Sequence, residues 1–124
     1  MNSSLRFVVI GAISAAIGVT AGAFGAHGLK SVLSTEMLSV YETAVRYQMY
    51  HAFGLIVAGL LPSTSAWTNR AGMLFVAGTI LFSGSLYVLT LTGMKWLGAI
   101  TPIGGICFIL GWVCIVIGPF RERG

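Results

Sequence analysis

Four long apolar segments alternate with short polar ones along the chain. Each reaches about 20 residues, the length that a helix needs to cross the ~30 Å hydrocarbon core of a bilayer. The segments are continuously apolar, which favours helices over strands, and their short connections make consecutive helices antiparallel neighbours. The sequence therefore predicts one all-α domain over 1–124, an integral membrane bundle of four transmembrane helices in up-down-up-down order. The predicted spans are about 5–26, 41–61, 70–92 and 97–119.

Composition agrees with a membrane protein. Hydrophobic residues make up 56% of the chain and charged residues 8%, with a mean hydropathy of +0.93. A soluble domain carries about 25% charged residues. The net charge of +4 comes from basic residues scattered at the span ends, a pattern that indicates orientation in a membrane and not nucleic-acid binding. The predicted partners are the lipid bilayer, other membrane subunits, or further copies of the chain as a homo-oligomer.

The basic residues also predict the topology. The terminal side holds four arginines, and the opposite side holds two lysines and, in one interpretation, Arg46. This bias places both termini in the cytoplasm, for a bacterial plasma (inner) membrane, or on the equivalent side of a mitochondrial membrane. A cleavable signal peptide ending near Phe24 is the alternative for the first segment, whose apolar run is longer than the ~7–15 residues typical of such signals. The arginines are Arg6, Arg70, Arg121 and Arg123, and the lysines are Lys30 and Lys95.

The second span contains an unusual concentration of polar residues. Its apolar part, Ala52–Leu61, is only about 15 Å long as a helix, so a full crossing must include the polar residues that precede it. A helix start is predicted at Ser34-Thr35-Glu36, a hydroxyl cap followed by an acid. At helical spacing, Glu42, Arg46 and Tyr50 form one stripe, and Tyr47 and His51 form a second stripe beside it. These five residues and His27 are called the polar patch below.

Three interpretations of the polar patch stay open. In the favoured one, Arg46 extends to the interface with Glu42 as its partner, and the tyrosines belong to an aromatic belt. In the second, hydroxyls of other spans (Ser14, Ser83, Ser85 or Thr101) satisfy a polar core that sets the register of the bundle. In the third, Glu42, Arg46, His51 and His27 form a proton, ion or anion site, since a histidine at membrane depth titrates near neutral pH.

Small residues predict close helix packing. The first span carries Gly18-x-x-x-Gly22, a spacing that lets helix backbones approach each other in lipid. The fourth span repeats glycine every seven residues, at Gly104, Gly111 and Gly118. Such a bundle leaves little room for a wide aqueous pore. Pro102 predicts either a bend in the fourth span or a late helix start.

Catalytic and metal-binding motifs are absent from the sequence. The chain has no aspartate and only three acids, so paired carboxylates are not available within one span region. Two histidines far apart do not form a metal site without a third ligand. Cys107 and Cys114 stand about 10 Å apart on one helix face, beyond the ~7 Å limit for a disulfide, and are interpreted as structural thiols. We therefore expect no enzymatic activity, no metal and no cofactor.

Several segments resemble a known family. They are GAFGAHGL at 22–29, YETAVRYQMYHA at 41–52, FSGSLYVLTLTG at 82–93 and LGAITPIGG at 97–105. Together they are similar to the small membrane proteins grouped as domain of unknown function 423, whose eukaryotic members are the transmembrane protein 256 group. The resemblance implies a four-span bacterial or mitochondrial membrane protein and brings no established activity. The matching positions are Gly25, His27, Gly28, Tyr41, Arg46, Tyr47, His51, Ser83, Gly84, Pro102 and Gly104.

The sequence thus leads to two hypotheses of function. Close glycine packing, short loops and the lack of a catalytic motif favour a non-catalytic small membrane protein, an accessory or assembly subunit of a larger membrane complex. The polar patch keeps open a second hypothesis, a small proton-coupled or ion/solute transporter that acts as an oligomer.

Overall fold

The computed structural model describes residues 3–62 and 66–122, and every regular element in them is helical. Residues Ala66–Thr92 form one continuous third rod, made of α3 (Ala66–Gly78), a π-helical segment (Thr79–Gly84) and α4 (Ser85–Thr92). The rod is continuous because the residues at both junctions of the π-helical segment keep helical backbone angles. The structure therefore confirms the predicted all-α architecture of four helices. In chain order, the elements are α1 (Ser3–His27), α2 (Thr35–Leu60), α3 (Ala66–Gly78), a π-helical segment (Thr79–Gly84), α4 (Ser85–Thr92), a 3₁₀ turn (Lys95–Ala99) and α5 (Thr101–Glu122).

The helices pack as two pairs. α1 lies mainly against α2, and the third rod lies mainly against α5. α2 joins the pairs by also contacting the third rod, whereas α1 and the third rod hardly touch. The hydrophobic core lies where the pairs meet, around Phe7, Leu55, Phe75 and Phe108. α2 is therefore the element from which side chains reach both halves of the bundle.

Three helix starts differ from the starts of the predicted spans, and one of them is that of the third rod, which begins at Ala66 and not at 70. α2 begins at Thr35, ahead of the predicted span 41–61 and at the predicted helix start, because the Ser34 side chain caps it by accepting a hydrogen bond from the Met37 amide at 3.1 Å. α5 begins at Thr101, after the 3₁₀ turn, which places Pro102 in the first helical turn, where its missing amide hydrogen costs nothing. Pro102 thus marks a late helix start.

Three helical stretches of the described residues are long and apolar enough to cross a membrane: Leu5–His27, Ala66–Thr92 and Lys95–Arg121. The 26-residue α2 is long enough but falls outside this group. Its polar first half lowers its hydropathy, which is the feature that distinguishes it in the sequence.

The packing glycines bring helices close together. A Cβ built on Gly104 would lie 2.8 Å from both the carbonyl carbon of Leu81 and the Cα of Phe82, so here the backbones of α5 and the third rod are in direct contact. Among the other predicted packing positions, Gly18 faces Met49, Gly22 faces Val45, Gly111 faces Phe75, and Gly118 is buried.

Candidate functional site

The polar residues of α2 are divided between two faces of the helix. Gln48 and His51 point into the bundle and are each 4% exposed. Glu42, Arg46 and Tyr50 lie on the opposite, outer face and are exposed. The residues of the polar patch therefore do not form one buried cluster.

His51 is held by two hydrogen bonds, one at each ring nitrogen. The indole Nε1 of Trp112 lies 3.0 Å from His51 Nε2, and His51 Nδ1 lies 2.7 Å from the carbonyl oxygen of Tyr47. Because an indole N–H can only donate, Nε2 must accept, and the ring proton therefore sits on Nδ1 and is donated to the carbonyl. These contacts specify one neutral tautomer of His51.

Aromatic rings enclose the same imidazole. The Phe108 ring stacks on it with centroids 3.5 Å apart and planes 8° apart, and Phe75 and Trp112 lie against it at tilted angles. Tyr47 lies along α2 at a centroid distance of 6.3 Å. Since all these neighbours are aromatic, the ring fills a packed core position.

Gln48 connects three helices. Its Nε2 donates to the Ser14 carbonyl of α1 at 2.9 Å, and its Oε1 accepts the Tyr87 hydroxyl of α4 at 2.6 Å. Tyr87 also packs edge-on against Tyr41, whose hydroxyl donates to the Ala21 carbonyl at 2.7 Å. A buried amide that bonds to two other helices fixes their relative rotation and height.

Buried hydroxyls complete the internal polar contacts. Ser83 donates to the Ala44 carbonyl at 2.7 Å, and Ser85 and Thr101 share a hydrogen bond of 2.7 Å between the third rod and α5. In the described part of the chain, every buried side-chain nitrogen or oxygen atom has a hydrogen-bond partner. The interior thus meets the requirement that polar groups in a membrane be satisfied within the protein.

The outer members of the polar patch lie apart from His51. Glu42 and Arg46 form no ion pair with each other within the described residues, although their spacing allows one. His27 is exposed at the end of α1, beyond the level where Gly25 faces Tyr41. His51 instead lies near the level of Ser14, so the two histidines do not share a site.

A lateral cavity of about 260 Å³ lies between α1 and the third rod, where these two elements scarcely contact each other. Isoleucines, Leu55 and Val76 form most of its wall, and Ser14, Gln48 and Thr79 supply its polar groups. The Thr79 hydroxyl is already donated to the Phe75 carbonyl at 2.8 Å. The cavity is therefore mainly an apolar recess, and most of its polar atoms already form hydrogen bonds within the protein.

Sequence reasoning overlooked the residues that hold Gln48 and His51 in place. Tyr87 and Trp112 supply the hydrogen bonds to Gln48 and His51 from positions 39 and 61 residues away in sequence. The usable signal was the rule that a polar side chain at membrane depth needs a donor or acceptor on another helix. Four tyrosines and three tryptophans in the chain left the partner undetermined.

Metal-ligating side chains are not clustered. Residues 3–62 and 66–122 contain no group of three or more His, Cys, Asp or Glu side chains placed to hold a metal ion. Cys107 and Cys114 are both free thiols, half-buried and buried respectively.

Comparison with known proteins finds close relatives. A family model described as "Protein of unknown function (DUF423)" matches residues 21–105. A UPF0382 membrane protein of Staphylococcus aureus is 50% identical over 119 residues, 95% of this chain and 98% of the relative. The UPF0382 membrane protein YwdK of Bacillus subtilis is 48% identical over 118 residues, 93% of this chain and 96% of the relative. No solved structure matches the chain.

Proposed function

The chain belongs to the DUF423 (UPF0382) family of bacterial membrane proteins, and we propose that within the membrane it acts as a non-catalytic accessory or assembly subunit of a larger complex. The observation that carries the proposal is the state of His51. It is the one titratable imidazole inside the described bundle, and both its nitrogens are already bonded. A proton or ion carrier needs a group that exchanges its partners, whereas His51 is fixed by packing on Phe108.

The outer faces of the bundle support a role in assembly. α1 presents a row of exposed apolar residues, including Ile13, Ile17 and Phe24, and α5 presents another, including Ile106 and Val116. Such faces suit either lipid or the helices of another membrane protein. The compact, internally satisfied interior then serves to hold these faces in a fixed relative position.

We also propose that the protein lies in the bacterial plasma membrane with both termini in the cytoplasm. Arg6 and Arg70 lie near the starts of α1 and the third rod, and Arg121 lies near the end of α5, so all three belong to one end of the antiparallel bundle. Lys30 and Lys95 lie in the connections at the other end, and Arg123, the fourth arginine of the prediction, lies outside the described residues. The cluster of arginines favours the cytoplasmic side for the end of the bundle that holds both termini.

The experiment that tests the accessory role compares the membrane proteome of the bacterium with and without the gene. We expect a defined set of membrane subunits to fall in abundance on deletion and to recover when the gene is restored. A His51→Gln variant should restore them as well, because an amide in place of the imidazole removes titration and keeps a polar group for Trp112. The proposal would be refuted if deletion lowers the abundance of no other membrane subunit. It would also be refuted if a His51→Gln variant that folds does not restore the subunits lost on deletion.

The second candidate is a small proton-coupled or ion/solute transporter that acts as an oligomer. Two observations favour it: the π-helical segment Thr79–Gly84, since π turns are frequent at functional sites, and the lateral cavity beside it, which Thr79 and Ile80 help to line. Solute flux into liposomes that depends on Gln48 or Arg46 would establish this candidate over the first.

A further inference from the structure

The outer face of α2 carries one continuous exposed stripe along the helix. Its first half is polar, with Glu42, Arg46 and Tyr50 following at intervals of four residues. Its second half is apolar, with Phe53, Val57 and Leu60 at the same angular position. The apolar half can face lipid, whereas the polar half presents charges on the outside of the bundle.

The register of α2 against α1 places Arg46 inside the membrane. Val45 faces Gly22 and Met49 faces Gly18, so Arg46 lies level with the stretch between these glycines. The candidate span of α1, Leu5–His27, is centred near Ala16. At 1.5 Å per residue, Arg46 is then roughly 3–9 Å from the midplane of a hydrocarbon core whose half-thickness is about 15 Å.

A charge at the depth of Arg46 needs a partner, and the monomer does not supply one. Within the described residues neither Glu42 nor Arg46 forms an ion pair, and both are exposed. The two side chains border a cleft of about 240 Å³ between α1 and α2, which Gly22 and Gly25 leave open. A charged group at membrane depth is normally paired or faces a protein interior, so the stripe is expected to be covered.

We propose that a second copy of this chain covers it, with the two α2 stripes packed side by side about a two-fold axis along the membrane normal. Two-fold symmetry makes residue i of one copy meet residue j of its partner, and j meet i. An axis along the membrane normal keeps equal residues of the two copies at equal height, so Arg46 of one copy starts one helical turn, about 6 Å, from the level of Glu42 of its partner. Because helical side chains lean toward the N-terminus, the long Arg46 side chain can reach that level, and the symmetry then forms the Glu42–Arg46 pair twice. The stripe is thus complementary to itself in charge, and this self-complementarity favours a second copy over a lipid or an unrelated subunit. The proposal is independent of the function proposed above.

Charge reversal in two differently tagged copies tests the interface. Glu42→Arg leaves two positive charges on the stripe, and Arg46→Glu leaves two negative charges. Each variant alone should lose self-association by at least about tenfold, because like charges then face each other. Co-expressed, the two variants should co-purify in mild detergent as well as two wild-type copies do, because both interfacial pairs are then opposite in sign. Lys95→Glu, an exposed change in the 3₁₀ turn, is the matched control and should self-associate normally.

A pairing of Glu42 with Arg46 inside one helix cannot be rescued by mixing, so the mixed experiment separates that explanation from the dimer. Wild-type protein that is monomeric, or single variants that self-associate normally, would overturn the proposal. The proposal would also be overturned if the co-expressed charge variants fail to associate. It would likewise be overturned if a lipid or another subunit co-purifies with the wild-type protein but not with the co-expressed charge variants.

A second measurement covers the case in which a charge variant does not fold. In a background without native cysteines, Tyr50→Cys lies one turn beyond Arg46 on the stripe and should cross-link between copies in native membranes with a short bis-maleimide. Ile106→Cys lies on the outer face of α5, is comparably exposed and should not cross-link. Absence of the Tyr50→Cys cross-link, or equal cross-linking at both positions, would contradict the proposed interface.

Discussion

Two adjacent glycines of α5 give opposite predictions for the same substitution. At Gly104, a new Cβ would contact backbone atoms of Leu81 and Phe82, with distances of 2.8 Å to the Leu81 carbonyl carbon and the Phe82 Cα. Backbone atoms within a helix cannot move aside as the end of a side chain can. At Gly105, the nearest atom is Cδ2 of the Phe82 ring at 3.8 Å, an ordinary van der Waals distance.

The magnitudes follow from two opposing effects. Replacing glycine by alanine inside a helix stabilises it by roughly 0.5–1 kcal/mol when nothing is displaced. Inserting a methyl group into a filled space costs about 1–3 kcal/mol, and contact with backbone places Gly104→Ala toward the upper end of that range. We therefore expect Gly105→Ala to be neutral or stabilising and Gly104→Ala to be destabilising. Because the alanine gain is common to both positions, the difference between them is the insertion cost, roughly 2–3 kcal/mol.

The assay is unfolding of the purified protein by increasing SDS in mixed micelles, followed by circular dichroism, with thermal unfolding as a second measure. Wild type, Gly104→Ala and Gly105→Ala should be compared in the same detergent. Equal stability of the two variants would show that α5 and the third rod do not approach as closely as the structure places them, and would refute the packing argument.

Three further predictions concern the polar interior and the topology. Gln48→Leu should destabilise the protein by about 1–3 kcal/mol, because the Tyr87 hydroxyl loses its buried acceptor. In a double-mutant cycle, the variant with both Gln48→Leu and Tyr87→Phe should lose less stability than the sum of the losses in the two single variants. Strictly additive losses would contradict a shared hydrogen bond. In a background without native cysteines, His51→Cys should resist a water-soluble maleimide while Lys95→Cys reacts, and rapid labelling of both would show that water reaches the histidine position. Both termini are expected in the cytoplasm. In a bacterial host, a fluorescent protein fused to the C-terminus should therefore fluoresce, and an alkaline phosphatase fused there should be inactive. The reverse result would contradict the proposed orientation.

The sequence was informative where one local rule decides the structure. The apolar lengths predicted four helices, and the hydroxyl of Ser34 predicted the start of α2, because the cap depends only on residues within one turn. The close contact at Gly104 followed from the same kind of reasoning, since a missing side chain permits backbone approach.

The candidate site was less accessible because it depends on the rotation of α2. The stripes of Glu42, Arg46, Tyr47 and His51 are fixed by helical periodicity, but that periodicity does not say which stripe faces inward. The structure turns Gln48 and His51 inward, and their partners come from α4 and α5. The π segment was equally hidden, since one widened turn leaves no periodic signal in an already continuous apolar run.

We propose that the polar interior of this bundle is structural, and a measurement of proton flux into liposomes tests this proposal. Purified protein should be reconstituted at known density, a potassium gradient and valinomycin should set the membrane potential, and an internal pH dye should report proton entry. We expect liposomes with the wild-type protein to be no more permeable to protons than protein-free liposomes, and His51→Gln to leave the signal unchanged. Proton entry well above that of protein-free liposomes, abolished by His51→Gln in a variant that remains folded, would contradict it.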